Sequence, residues 1–187
     1  MLSEQQVSED GADLKSLALH RITPALVSSL PGLEQQIEQF ESREGGENAE
    51  EWFKGKAFPL ALQGSNAYGT YVVLVESEVD VLFSLRMGEA KFSQARRKKL
   101  RLPIHKEPRH EGCVLLMWIA NRKNAVVKGK RLLECVLSVC IDAAEQVGAV
   151  ALALDPQNER LAEYWRSLDF RNTNTSSGIQ KRLYLPL

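Results

Sequence analysis

The sequence predicts a mixed α/β (α+β) domain, and three observations favour this class. Apolar residues recur at helical spacing between residues 23 and 57, and two runs rich in β-branched residues follow between residues 70 and 87. From residue 112 onward, apolar strand-like runs alternate with amphipathic helix patterns. Helices, a hairpin and then alternating strands and helices are therefore expected to build a sheet with helices packed against it.

The first segment is expected to lie outside the folded core. Residues 1–14 are polar and acidic and are predicted to be disordered, which leaves a single domain over residues 15–187. The segment lacks the apolar stretch of a signal peptide, and the chain has no apolar run of about 18 residues, the length that spans a membrane. A cytoplasmic protein without membrane contact is therefore expected.

Helix signals precede the hairpin. Thr23 is a candidate cap and Pro24 suits a first helical turn, so one or two helices are predicted within residues 23–42. Asn48 is a candidate cap for a shorter helix. The period then changes to that of strands, and an antiparallel hairpin is predicted from two runs joined by a turn at Glu76–Glu78: Thr70–Glu76 and Val79–Met87.

Five further elements are predicted after the hairpin. Gly112–Ala120 is almost wholly apolar, as expected of a strand covered on both faces. A helix with an apolar face from Leu132 to Ala144 follows and ends at Gly148. The remaining predicted elements are a buried strand, a helix and a last strand: Ala149–Leu154, Asn158–Leu168 and Arg182–Leu185.

The cysteines and histidines do not form a recognisable site. The odd number of cysteines and the lack of a CxxC spacing argue against a disulfide framework and against zinc. No ligand or triad spacing links the three histidines. No metal is therefore expected, and the cysteines are interpreted as small buried apolar residues: Cys113, Cys135 and Cys140.

The charge is unevenly distributed, although 24 basic and 24 acidic residues balance. The segment from Lys91 to Arg109 is basic, which is typical either of a surface that meets an anionic partner or of a solvated loop. The cluster that would meet an anion consists of five residues: Arg96, Arg97, Lys98, Lys99 and Arg101.

Residues 112–170 resemble the core of the GNAT acyltransferase family. The stretch from GCVLLMWIA to DPQNERLAEYWRSLDF follows that core in order: strand, pyrophosphate loop, helix, strand, helix. The resemblance implies the GNAT fold, with a central mixed, mostly antiparallel, twisted sheet flanked by helices. It also implies an N-acetyltransferase that uses acetyl-CoA, needs no metal, and modifies a primary amine of unknown identity.

The first half is similar in architecture to a subgroup of GNAT toxins that acetylate aminoacyl-tRNA. This likeness implies that the basic cluster meets tRNA phosphates. A protein amine as acceptor and a homodimer remain open alternatives.

The family binds the cofactor's pyrophosphate at a helix N-terminus, where backbone N–H groups lack helical partners and the helix dipole favours an anion. Its loop has a glutamine or arginine followed by two glycines. Here the aligned residues are Asn124, Val127 and Gly129, so only the second glycine is kept. The resemblance implies that the cofactor contacts this loop and the helix start as far as Leu132, with three basic side chains that add charge: Lys128, Lys130 and Arg131.

The resemblance implies roles for residues of two other elements. The pantetheine arm would lie along the strand at Met117, Ile119 and Ala120. Asn158 either approaches the pantetheine or caps the last helix. The family's tyrosine, which protonates the departing thiolate, is replaced by Trp165, whose indole cannot act as an acid. The neighbouring Tyr164 is therefore the candidate acid, and no residue stands out as the base among the hairpin carboxylates: Glu76, Glu78, Asp80 and Glu89.

Two other functions remain open from the sequence. The departures at Val127 and Trp165 favour a catalytically impaired GNAT-fold protein that acts as an acyl-CoA sensor or as an interaction module. A nucleic-acid-binding protein would rest on the basic cluster alone, since no other nucleic-acid-binding signature accompanies it.

Overall fold

The computed structural model describes residues 16–104, 110–173 and 182–187. The predicted N-terminal tail and residues 105–109 of the basic segment lie outside the described residues. The described strands form one seven-stranded sheet in the order β1-β2-β3-β4-β5-β7-β6. Their bounds are β1 Leu17–Arg21, β2 Gly69–Val75, β3 Glu78–Lys91, β4 His110–Asn121, β5 Ala151–Leu154, β6 Arg171–Asn172 and β7 Leu183–Pro186.

Helices cover both faces of this sheet. On one face lie α1 Pro24–Ser29, α2 Leu33–Glu38, α3 Glu47–Trp52 and α4 Phe58–Leu62, the last two joined by a π-helical turn at Phe53–Ala57. On the other face lie α6 Gly129–Val147 and α7 Glu159–Ser167. The remaining described helix is the short α5, Gln94–Lys99. Among the described strands only β4 and β5 pair in parallel, so the predicted mixed, mostly antiparallel sheet is confirmed.

The predicted hairpin is confirmed, with a longer second strand than expected. The turn is formed by Glu76 and Ser77, both with positive φ, which matches the twist of the flanking strands. The second strand continues to Lys91, because β4 pairs with it as far as the Lys91–His110 pair. This long pairing was not visible in the sequence, where the alternation stops at Met87.

The helix starts were predicted with mixed success. Thr23 does cap α1, since its hydroxyl accepts a hydrogen bond from Leu26 N at 3.1 Å. The expected cap at Asn48 is wrong, because α3 begins at Glu47 and Gly46 occupies the cap position. The sequence analysis also missed β1, whose five half-buried or exposed residues give only a weak strand pattern.

Gly88 in β3 lies directly against the Leu115 side chain of β4. A Cβ built on Gly88 would lie 2.2 Å from Cδ1 of Leu115, whereas one on Gly112 would meet nothing closer than 3.9 Å. We expect Gly88→Val to lower the free energy of unfolding by about 1–3 kcal/mol, the usual range for overpacking. Gly112→Ala should change it by less than about 0.5 kcal/mol. Denaturant unfolding of both variants measures this, and equal losses would contradict the packing described here.

Candidate active site

The sheet opens between β4 and β5. These strands pair only over Val114–Leu116 and Leu152–Leu154, after which β5 ends while β4 continues to Asn121. Met117 is an extra residue in β4, since Leu116 and Trp118 face the consecutive residues Leu85 and Ser84 of β3. Within the described residues, no strand pairs with the β5-facing edge of β4 from Met117 to Ala120, so the backbone polar groups of this stretch face the opening.

A cavity of about 590 Å³ fills this opening and crosses the sheet. Leu132, Leu154 and Trp165 line it and belong to the core on the α6–α7 face. Ala49 and Trp118 line it too, and they belong to the core on the α1–α4 face. The cavity is therefore lined by residues from both faces of the sheet.

A tight turn lines the cavity on the α1–α4 face. Gly46 N donates to Arg43 O at 2.9 Å and Gly45 has φ +83°, which is a type II turn with Glu44 at its second position. The turn is attached to the end of β4, because Arg43 N donates to Asn121 O at 2.9 Å. Glu44 is exposed on this turn and lines the cavity.

Glu50 holds this turn from behind. Its carboxylate accepts hydrogen bonds from Ser42 N and from Lys54 Nζ, each at 2.7 Å. Burial raises the pKa of Glu50, but the bonds from Lys54 and Ser42 outweigh it and hold the pKa below its ordinary value. The carboxylate is therefore charged at neutral pH and keeps the segment in place.

The N-terminus of α6 opens beside the cavity. Lys128 occupies the cap position, and its side chain makes no capping hydrogen bond. Gly129 follows with φ +59°, and a Cβ there would meet nothing within 4 Å. Leu132, one turn later, lines the cavity, while residues 124–131 do not line it themselves. Charged or polar side chains around this helix start are exposed: Asn124, Lys128, Lys130 and Arg131.

Two of the expected cofactor contacts have side chains that are buried in the core. The side chain of Val127 is fully buried in the core, its N–H donates to Asp80 Oδ2 at 2.7 Å, and its carbonyl accepts from Asn121 Nδ2 at 3.0 Å. Val127 therefore has no group left for a ligand. Ala120 is 1% exposed and packs in the core on the α1–α4 face, so its side chain does not reach the cavity either. By contrast, Met117 and Ile119 line the cavity.

Helix α7 brings the candidate acid to the cavity. Asn158 lines the cavity and also caps the helix, since its Oδ1 accepts from Leu161 N at 2.9 Å. Tyr164 and Trp165 both line the cavity, with their rings edge to face at 5.3 Å. Trp165 is 7% exposed and also contacts the ring of Phe170 at 5.2 Å, so it is the more deeply anchored of the two.

The carboxylates that line the cavity differ from those considered in the sequence. Asp155 lines the cavity and accepts two hydrogen bonds from Arg182, of 2.7 and 2.5 Å. Hydrogen bonding to Asp155 raises the pKa of Arg182. Glu44 is the other lining carboxylate. The sequence does not identify Glu44 as a site residue, because nothing in it shows that this turn joins the end of β4. None of the four hairpin carboxylates lines the cavity.

The residues of the basic cluster differ in how deeply their side chains are buried. Arg97 is 1% exposed, with Nη1 2.5 Å from Glu111 Oε1 and Nε 2.8 Å from Pro103 O, so the expectation that it meets phosphates is wrong. Its charge is used to fix α5 against β4. Lys98, Lys99 and Arg101 are exposed, and Arg96 is half-buried.

The interpretation of the cysteines is confirmed. All three are buried and free, and burial raises the pKa of Cys113 to about 11 and that of Cys140 to about 12. These thiols are protonated at neutral pH and unsuited to nucleophilic chemistry. Among the described residues, no helix is both long and apolar enough to cross a bilayer.

Comparison with known proteins identifies the fold. No protein-family model and no curated protein match the sequence. Among solved structures, AtaT complexed with acetyl-methionyl-tRNAfMet matches with a TM-score of 0.69 at 17% identity, over 91% of this chain and 95% of that one. A mutant of KacT matches with a TM-score of 0.67 at 18% identity, over 91% and 94%. AtaTR bound with AcCoA matches with a TM-score of 0.65 at 16% identity, over 91% and 93%. The chain therefore has the GNAT fold, in the arrangement seen in AtaT and KacT.

Proposed function

We propose that the protein is an N-acetyltransferase that transfers the acetyl group of acetyl-CoA to a primary amine. The observation that carries this proposal is the cavity that crosses the sheet where β4 and β5 separate. A thioester bound on the α6–α7 face and an amine bound on the α1–α4 face would meet inside it. Acetyl-CoA as the donor is supported by the likeness to AtaTR bound with AcCoA.

The groups around the cavity suit the parts of acetyl-CoA. The N–H groups of residues 128–131 lack helical partners, so they would bind the diphosphate together with the exposed charges of Lys128, Lys130 and Arg131. The unpaired edge of β4 at Met117 and Ile119 would bind the amides of the pantetheine arm as an added strand does. Leu132, Asn158 and Trp165 would line the path of this arm.

The reaction is a direct transfer. The neutral amine attacks the thioester carbonyl, and an N–H group of the unpaired edge of β4 stabilises the oxyanion of the tetrahedral intermediate. The intermediate collapses with cleavage of the carbon–sulfur bond, and the Tyr164 hydroxyl donates its proton to the leaving thiolate. Glu44, on the acceptor side, accepts the proton that the amine loses. An amide and free CoA are the products.

The acceptor is proposed to be the amino group of an aminoacyl-tRNA. The support is the likeness to AtaT, which was solved in complex with acetyl-methionyl-tRNAfMet. The exposed members of the basic cluster, together with Arg43 at the cavity, would meet the phosphates. Arg97 is excluded from this role and serves to hold the helix that carries the others.

Charge removal on α5 tests the tRNA contact. We expect Lys98→Ala with Lys99→Ala to weaken tRNA binding and to reduce the slope of log K against log salt concentration by about 1.4–1.8, the loss for two phosphate contacts. Fluorescence anisotropy with tRNA over a salt series measures this slope. Lys56→Ala, which removes an exposed lysine elsewhere, is the control. An unchanged slope in the double variant would remove α5 from the interface.

The proposed reaction is tested by thiol release and by calorimetry with the full chain. We expect binding of acetyl-CoA and release of CoA thiol that depends on an added aminoacyl-tRNA. Binding without release, for every aminoacyl-tRNA and amine tried, would favour the acyl-CoA sensor instead. If acetyl-CoA did not bind at all, both readings would be wrong.

A further inference from the structure

We propose that Asp80 is a positioning residue that sets the affinity for acyl-CoA by fixing the loop in front of α6. This inference rests on the proposed function, because it assumes that the N-terminus of α6 holds the cofactor's diphosphate. Asp80 lies in β3 and not in the loop, and its side chain does not line the cavity. Its effect is therefore exerted through the backbone.

The carboxylate of Asp80 is fully buried and receives the backbone of the loop. Val126 N lies 3.1 Å from Oδ1 and 3.0 Å from Oδ2, and Val127 N donates to Oδ2 at 2.7 Å. The backbone carbonyl of Asp80 also accepts from Arg122 N at 2.9 Å. One residue of the sheet thus binds both the start and the end of the loop between β4 and α6.

Neighbouring side chains complete this attachment. Arg122 Nη2 lies 3.6 Å from Asp80 Oδ1 and supplies a positive charge beside the buried carboxylate. Asn121 is 5% exposed and donates to Val127 O at 3.0 Å, so both backbone groups of Val127 are fixed. A buried carboxylate is costly unless it is hydrogen-bonded and paired, and here it is both.

The attachment of the loop to Asp80 also sets the direction of the N–H groups that would bind the cofactor. The N–H groups of residues 126 and 127 point to Asp80, and the chain then turns at Lys128 and Gly129 into α6. The next N–H groups, those at the helix start, are left for a ligand and held in one orientation before it arrives. Preorganised donors bind more tightly, because the entropy of ordering them is not lost on binding.

Asp80→Asn separates this role from general stability. The amide keeps the size of the side chain, but it places an NH₂ group where one loop N–H must find an acceptor. We expect Kd for CoA to rise at least tenfold in calorimetry, and amide hydrogen exchange at residues 126 and 127 to become faster. kcat at saturating acetyl-CoA should stay within about twofold.

Glu78→Gln is the matched control. Glu78 is two residues away in β3, is 62% exposed and pairs with the same Arg122 at 3.0 Å. It should leave Kd for CoA unchanged. If Asp80→Asn bound CoA as the wild type does, the positioning role would be refuted while the proposed function stood.

The wild type supplies a second measurement that needs no variant, in case Asp80→Asn does not fold. Residues 126 and 127 should exchange slowly both with and without CoA, while the amides of residues 128–131 should gain protection only when CoA is added. Protection of residues 126 and 127 that appears only with CoA would show that the ligand orders the loop, against our inference. A wild type that does not bind CoA would refute the proposed function and this inference together.

Discussion

Tyr164→Phe should lower kcat for acetyl transfer about 100-fold, within the range attributed to a single general acid. The thiolate of CoA must be protonated as it leaves, and Tyr164 is a proton donor on the α6–α7 side of the cavity. Trp165, its neighbour in the cavity, has only an indole N–H and cannot act as an acid at neutral pH. Of these two aromatic residues, Tyr164 is therefore the one that can protonate the thiolate.

This substitution isolates the hydroxyl. Phenylalanine retains the ring that packs edge to face against Trp165 at 5.3 Å, so the melting temperature and KM for acetyl-CoA should stay close to the wild type. Tyr68→Phe is the control, because Tyr68 packs against Trp52 at 5.3 Å and does not line the cavity. Steady-state thiol release measures kcat. If Tyr164→Phe kept full activity, the thiolate would be protonated by another group, such as water.

The sequence predicts most of the C-terminal half of the fold, because β4, α6, β5 and α7 each have a clear local pattern, whereas the two-residue β6 has none. The apolar run of β4, the stripe of α6 and the terminating Gly148 need no tertiary information. The site on this half was indicated by the resemblance to GNAT enzymes, which implied roles for Leu132, Asn158 and Tyr164. All three line the cavity.

The acceptor side was not predictable for a physical reason. Glu44 reaches the cavity because the turn at residues 43–46 is bonded to the end of β4, about 80 residues further along the chain. Arg97 failed as a phosphate contact because Glu111, from a different element, binds it. Asp80 likewise acts on residues 126 and 127 of a distant loop. Pairings of this kind leave no periodicity in the sequence.

Gly129→Ala should weaken acetyl-CoA binding at least tenfold, and Gly148→Ala should not. Gly129 is the first residue of α6 and has φ +59°, and Gly148 caps its end and has φ +72°. A Cβ at either position would meet nothing within 4 Å. Each substitution therefore costs about 1–2 kcal/mol of stability through left-handed backbone strain alone. The two variants are matched in helix, in chemistry and in strain.

They differ in what lies beside them. The open space at Gly129 adjoins the N–H groups proposed to bind the diphosphate, so an alanine methyl group there would hinder the phosphate and turn the donors away. Gly148 follows the last turn, where carbonyl groups point outward and an anion is disfavoured. Calorimetry with CoA, together with thermal melting, compares the two effects. Because strain is equal in both variants, equal losses of affinity would mean that the start of α6 does not hold the cofactor, and the assignment of its N–H groups would have to be abandoned.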